Sequence, residues 1–242
     1  MFLFDPIYLL FMAPAFLLML FSSWYVKSAY NKWSKVPARS RLTGAQAAQR
    51  LIQNSYYTTA LGGGDLRDVR IAGIGGELSD NYDPRTKTLN LSPGVANSAS
   101  VAAIAVAAHE LGHAMQDSED YFPMRLRSAL VPAVNIGSTL GWILILIGLF
   151  LNFTQLAWMG VIVFSAGAVF ALATLPVEFN ASSRAKRLLV QSGIIQGEDE
   201  EHGVNNVLNA AALTYVAGLV TAVLQLLYYV LLVSGMGGRR RR

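Results

Sequence analysis

Four long apolar runs constrain this chain more than any other feature: Ile7–Val26, Val134–Leu151, Leu156–Leu175 and Val204–Val233. Crossing a bilayer's hydrocarbon core takes about 20 apolar residues of helix. Inside that core the chain must satisfy every backbone N–H and C=O itself. The runs therefore predict a mainly α membrane protein with about four transmembrane helices. Composition points the same way, since only 14% of residues are charged, against about 25% in soluble domains. The first run, over 7–26, follows no basic segment and precedes no A-x-A site, so an uncleaved anchor is expected rather than a signal peptide. Asn152-Phe153-Thr154-Gln155 splits the second and third runs, which predicts a transmembrane hairpin over 134–175. Gly137, Gly141, Gly148, Gly160 and Gly167 suit close packing of its helices. The fourth segment, 204–236, is longer than one perpendicular span, so its first half should lie against a folded domain. A basic tail, 237–242, follows it.

Charge predicts which side that domain occupies. Lys27, Lys32, Lys35, Arg39 and Arg41 follow the first run, Arg125 and Arg127 precede the second, and Arg184, Lys186 and Arg187 follow the third. The 152–155 turn carries no charge. The positive-inside rule places the intervening domain in the cytoplasm of a multi-pass cell-membrane protein. Four spans would leave Arg239–Arg242 outside, against the same rule, unless the last segment is re-entrant. The net charge of +4 is explained by these flanking residues. No basic stripe with interleaved aromatics supports nucleic-acid binding. The chain has no cysteine, so any metal must be held by nitrogen and oxygen.

The polar region 27–130 reads as a small α+β domain. Thr43 can cap a helix running through Gln53, with Ala47, Ala48, Leu51 and Ile52 on one face. Gly62-Gly63-Gly64 lacks the spacing of a phosphate loop and reads as a flexible turn. Val69–Ile74 reads as a short strand, and Asp83-Pro84-Arg85-Thr86 has turn chemistry. Thr88, Leu89, Asn90, Leu91 and Ser92 alternate polar with apolar, the pattern of a strand. A strand just before the next helix is expected to offer a free edge to an extended peptide substrate, although an ordinary scaffold hairpin fits equally well.

That helix, 98–117, contains His109-Glu110-Leu111-Gly112-His113, an H-E-x-x-H pattern. Residues four apart on a helix lie about 40° apart around the axis, so both histidines can grip one ion. Glu110, about 100° round from His109, can reach a metal-bound water and take its proton as the water attacks a peptide carbonyl. Zinc suits such a donor set, with a third ligand and one open position. The chain has three histidines, and two fall in this motif. The alanine-rich run before it favours a buried helix, where such polar residues are costly unless satisfied.

The third ligand has two candidates. Glu178 is an acid at the end of an apolar run, where a carboxylate is expensive without a partner; its plainer role is as the first acid of a polar helix over 176–203. His202 is the better ligand type, but Gly197–Gly203 reads as a mobile acidic loop. For stabilising an oxyanion, Arg184, His202 and Tyr215 are all available.

Four passages together resemble the YugP-like neutral zinc metallopeptidases of bacterial membranes, a family akin to membrane-anchored gluzincins. They are NYDPRTKTLNLS from Asn81, AVAAHELGHAMQ, LPVEFNASSRA from Leu175, and VLNAAALTYVAG from Val207. The resemblance implies a membrane-bound, zincin-like endopeptidase acting on peptides or proteins through one zinc ion. It implies His109, His113 and Glu178 as ligands and Glu110 as base. In gluzincins an aspartate four residues past the third ligand often orients a histidine; here that position is Ser182. The orienting group could be Ser182, Asn180 or an asparagine of 205–209. Two rivals remain: a catalytically silent zinc-binding scaffold or assembly factor, and a site-2-type intramembrane protease. The LDG sequence that the latter class uses is absent.

Overall fold

The computed structural model describes residues 6–54, 59 and 64–239. Gly62 and Gly63, read above as part of a flexible turn, and Arg240–Arg242 of the basic tail lie outside the described residues. The order of elements is α1 (Pro6–Trp33), α2 (Gly44–Gln53), β1 (Arg70–Gly73), β2 (Asn81–Asp83), β3 (Thr88–Leu91), α3 (Pro93–Ala96), α4 (Val101–Ser118), α5 (Phe122–Phe150), α6 (Thr154–Phe164), α7 (Ala166–Gln191) and α8 (Glu198–Arg239). Four stretches are long and apolar enough to cross a membrane: Pro6–Trp33, Phe122–Phe150, Thr154–Gln191 and Glu198–Met236. The described chain divides into two compact units.

One unit gathers the chain up to Ser22, Arg125–Leu175 and the chain from Thr214. Its helices turn large apolar side chains outward, among them Ile136, Leu140 and Ile147. Helices α5 and α6 run together along a seam of small residues. A methyl group added at Gly141 would sit 2.6 Å from the Phe164 nitrogen, and one at Gly148 would sit 2.5 Å from that of Ala157. Glycine is what lets the two backbones approach so closely. Gly167 differs from the expectation of close packing, since nothing lies within 4 Å of where its Cβ would be.

The other unit comprises Ser23–Met124 and Pro176–Leu213. Its core is apolar and closed, with Leu51, Leu89, Leu91, Ile104, Leu111 and Leu188 all fully buried. Thr43 starts α2 with a reciprocal cap. Its hydroxyl accepts from the Gln46 backbone N–H at 3.2 Å, and the Gln46 side-chain oxygen Oε1 accepts from the Thr43 backbone N–H at 3.0 Å. Ala47, Ala48, Leu51 and Ile52 form the buried face of α2. Ser100 caps α4 by accepting from the Ala103 N–H at 3.2 Å, which starts that helix at Val101 rather than Ser98.

The sheet corrects one expectation. Its order is β1-β3-β2, with β1 parallel and β2 antiparallel to β3. Thr88–Leu91 is therefore the central strand, flanked on both sides over Thr88–Asn90. Thr88, Leu89, Asn90, Leu91 and Ser92 do not form a free edge for a substrate. The strand that covers one side, Asn81–Asp83, is too short to show a period of two in the sequence.

Two further expectations change. The acidic stretch at Glu198–Glu201 is the first turn of α8, not a loop. Acids there face the unbonded N–H groups and positive dipole end of the helix. Glu200 is buried and accepts from the backbone N–H of Arg39 at 2.6 Å and of Gln196 at 2.7 Å. Glu178 does not begin a helix either: α7 runs unbroken through Pro176. The proline and the drop in hydropathy mark a change of surroundings, and one lost backbone donor does not end the helix here.

Candidate metal centre

Helix α4 is wrapped on nearly every side, with Glu110, Gly112, His113 and Gln116 among its buried residues. Its tightest neighbour at the motif is α7. A Cβ at Gly112 would lie 2.6 Å from the Ala181 carbonyl oxygen, so a larger residue would force the helices apart. That approach places Glu178, one turn before Ala181, against both motif histidines.

Glu178 Oε2 lies 3.3 Å from His109 Nε2 and 3.6 Å from His113 Nε2. The two imidazole rings meet edge to face with centroids 4.9 Å apart. One ligand atom from each of these three residues falls within 4.8 Å of the others, a group that could hold a metal ion. Bonds of about 2.0–2.2 Å in tetrahedral zinc imply donor atoms about 3.3–3.6 Å apart. The two-nitrogen, one-oxygen set fits zinc in chemistry, and the spacing of Glu178 from each histidine matches it.

Glu110 is 8% exposed, and among the described residues no hydrogen bond engages its carboxyl. Burial pushes that carboxyl above the ordinary range, and the neighbouring histidines only partly oppose the shift. Burial would lower His113, but the neighbouring Glu178 and Glu110 carboxylates outweigh it and leave the ring raised.

The outer nitrogens of both rings also have neighbours. Ser182 Oγ lies 3.2 Å from His109 Nδ1. Gln116 Oε1 lies 3.0 Å from His113 Nδ1. The Gln116 amide donates to the Val177 carbonyl at 2.8 Å and to Asn180 Oδ1 at 2.9 Å. Arg184 Nε donates to the same Asn180 oxygen at 2.6 Å, and its guanidinium forms a two-pronged ion pair with Glu119. The Arg184 guanidinium also stands over the Tyr121 ring, 5.8 Å from its centre.

Of the residues singled out from sequence, the fold brings His109, His113 and Glu178 together, with Glu110 adjoining on α4 and Ser182 touching His109. Asn180 and Arg184 stand behind Gln116. His202 lies elsewhere, edge-on to Trp33 with ring centres 5.9 Å apart. Asn206 accepts from Trp33 Nε1 and donates to the Tyr25 hydroxyl, each at 3.0 Å. Asn209 accepts from Lys186 at 2.9 Å. Tyr215 belongs to the other unit. Gln116 was not anticipated. Its one signal was its place three residues after His113, on the same helix face.

Comparison with known proteins supplies the class. Residues 8–234 match the family described as "Putative neutral zinc metallopeptidase", and the chain belongs to that family. It is 44% identical over 208 residues to "Putative membrane protease YugP" of Bacillus subtilis (strain 168), covering 86% of this chain and 88% of that relative. No solved structure matches the chain.

Proposed function

We propose that this protein is a membrane-bound zinc endopeptidase of the gluzincin type, with one catalytic ion in a zincin-like site. The observation that carries the reading is the convergence of His109, His113 and Glu178 on one point from two helices, with a buried carboxyl beside it. Family membership and the membrane-protease relative support the same class. His109 and His113 would hold zinc through Nε2 and Glu178 through its carboxylate. Zinc held there supplies Lewis-acid chemistry, polarising a carbonyl and lowering the pKa of a water to about 7.

The chain's own part is proton handling and orientation. Glu110 accepts a proton from the attacking water at its free carboxylate and returns it to the leaving amine nitrogen. Ser182 steadies the His109 ring. The Gly112–Ala181 contact holds α7, and with it Glu178, in register with the motif. In this reading peptides or proteins, including membrane proteins, are the substrates.

The test is zinc content and cleavage of casein or a fluorogenic peptide by purified protein before and after chelation. Stoichiometric zinc, activity lost on chelation and regained with zinc, is the expected result. Zinc without cleavage of any peptide would favour the scaffold instead.

The lysines and arginines flanking the spans support a cytoplasmic position for the metal-centre unit in the cell membrane. Because the chain has no cysteine, Glu77→Cys in an exposed loop gives a single label site. A membrane-impermeant thiol reagent should leave it unlabelled in intact cells and label it after lysis. Labelling in intact cells would reverse the orientation.

A further inference from the structure

We propose that Gln116 is a positioning residue that locks the His113 ring with Nδ1 as hydrogen-bond donor and Nε2 as the ligating nitrogen. The inference rests on the zinc-site reading above and adds to it a fixed polarity in the residues behind the ligands.

The polarity follows from which groups can only donate and which can only accept. Arg184 has five N–H donors and no acceptor. The Asn180 atom that Arg184 Nε faces at 2.6 Å is therefore its carbonyl oxygen. That same oxygen faces the Gln116 side chain at 2.9 Å, so the Gln116 atom there must be its NH2 group. A second contact reaches the same answer: the Val177 backbone carbonyl, 2.8 Å away, can only accept. With its nitrogen committed twice, Gln116 presents oxygen to His113 Nδ1 at 3.0 Å. An oxygen acceptor requires Nδ1–H on the ring. The lone pair is then at Nε2, the atom that faces Glu178 at 3.6 Å.

The far end of the chain of contacts is anchored by charge. Glu119 grips both terminal nitrogens of Arg184, and such two-pronged pairs fix direction as well as distance. Gln116 and Arg184 are both buried, while Asn180 and Glu119 are partly exposed. His109 has no equivalent lock. Its Nδ1 faces the Ser182 hydroxyl, which can donate or accept and so imposes no tautomer. The two zinc histidines are therefore held differently, one by a directional network and one by an adaptable hydroxyl.

The network makes opposite demands on two substitutions. Gln116→Met keeps side-chain volume but removes the oxygen and both donors. Asn180→Asp keeps an oxygen acceptor toward Gln116 and Arg184, so the polarity survives. Zinc affinity would be measured by chelator competition on purified full-length protein. In parallel, 15N-histidine-labelled, zinc-loaded protein would report the ring nitrogens through their couplings to the carbon-bound ring protons, which solvent exchange does not erase; with three histidines in the chain, the exposed His202 serves as the internal reference.

Gln116→Met is expected to weaken zinc binding about 10–100-fold and to shift the His113 ring-nitrogen signal, with the His202 signal unchanged. Asn180→Asp is expected to retain both within about threefold of wild type, well inside the 10–100-fold range of a lost orienting partner. Wild-type affinity and an intact His113 signal in Gln116→Met would overturn the inference alone. So would an Asn180→Asp protein as weak as Gln116→Met. Wild-type protein that takes up no zinc would overturn the zinc-site reading and this inference with it.

Discussion

The two units differ in how far their polar side chains reach. In the apolar helical unit, the hydroxyls of Ser22, Ser138, Ser165, Thr174 and Thr221 each donate to a carbonyl three or four residues back on the same stretch of helix. A hydroxyl satisfied by its own helix asks nothing of its neighbours and suits an apolar surrounding. In the other unit, Gln116 reaches partners 61 and 64 residues away, and Ser182 reaches His109 across 73. Polarity that is local serves the helix carrying it. Polarity satisfied across the chain depends on the fold, and the candidate metal centre is built from it.

The largest expected effect separates the units outright. Glu178→Ala should abolish stoichiometric zinc and peptide hydrolysis, because it removes the only oxygen donor of the three-residue group. Thr174→Val, a few residues earlier on the same helix, should leave zinc content unchanged. Metal analysis of the two purified variants checks the contrast. Retained zinc in Glu178→Ala with loss in His202→Ala would move the third ligand to His202.

Next in size is Glu110→Gln, which preserves shape and leaves all three ligand residues in place. Zinc should stay bound while hydrolysis falls about 10²–10⁴-fold, the usual cost of losing a general base. Wild-type turnover would show that another group takes the proton.

A matched pair of glycines sharpens the comparison further. A methyl group at Gly112 or at Gly141 would meet backbone at the same 2.6 Å, so each alanine variant should lose about 1–3 kcal/mol through overpacking. Only Gly112→Ala should also weaken zinc binding, since α7 carries Glu178 past that contact. Thermal unfolding with and without chelator would resolve the two effects. Equal zinc affinity in both variants would mean that the helix approach at Gly112 does not set ligand spacing.

His202→Ala should have the smallest effect. It removes an edge-on contact with Trp33 worth about 0.5–1.5 kcal/mol and leaves zinc stoichiometry and turnover essentially as they were. A fall in turnover with stability unchanged would give His202 a part in the reaction.

Much of this was readable without coordinates, and the reason is periodicity. Apolar runs, the Thr43 cap and the i, i+4 histidines express their structural meaning within one helix, so neighbouring residues in sequence suffice to predict them. Glu178 could be singled out because a carboxylate at the end of an apolar run is costly wherever it lies. Composition misled where it changed without a change in backbone. Pro176 and the acids at 198–201 looked like breaks, yet both lie within helices.

The tertiary structure decided what sits opposite what. Alternation at Thr88–Leu91 predicts a strand but says nothing of how many neighbours it has, and a three-residue partner, β2, turned a supposed edge into the centre of the sheet. The sequence left Ser182, Asn180 and the asparagines of 205–209 equally available to orient a zinc histidine. Packing at Gly112 and Ala181 set Ser182 on His109, while Asn209 faces Lys186. Gln116 gained its role in the same way, from acceptors on α7 that no local pattern could place. Hydrogen bonds between residues some 60–70 positions apart depend on how helices pack, and helix periodicity carries no record of that.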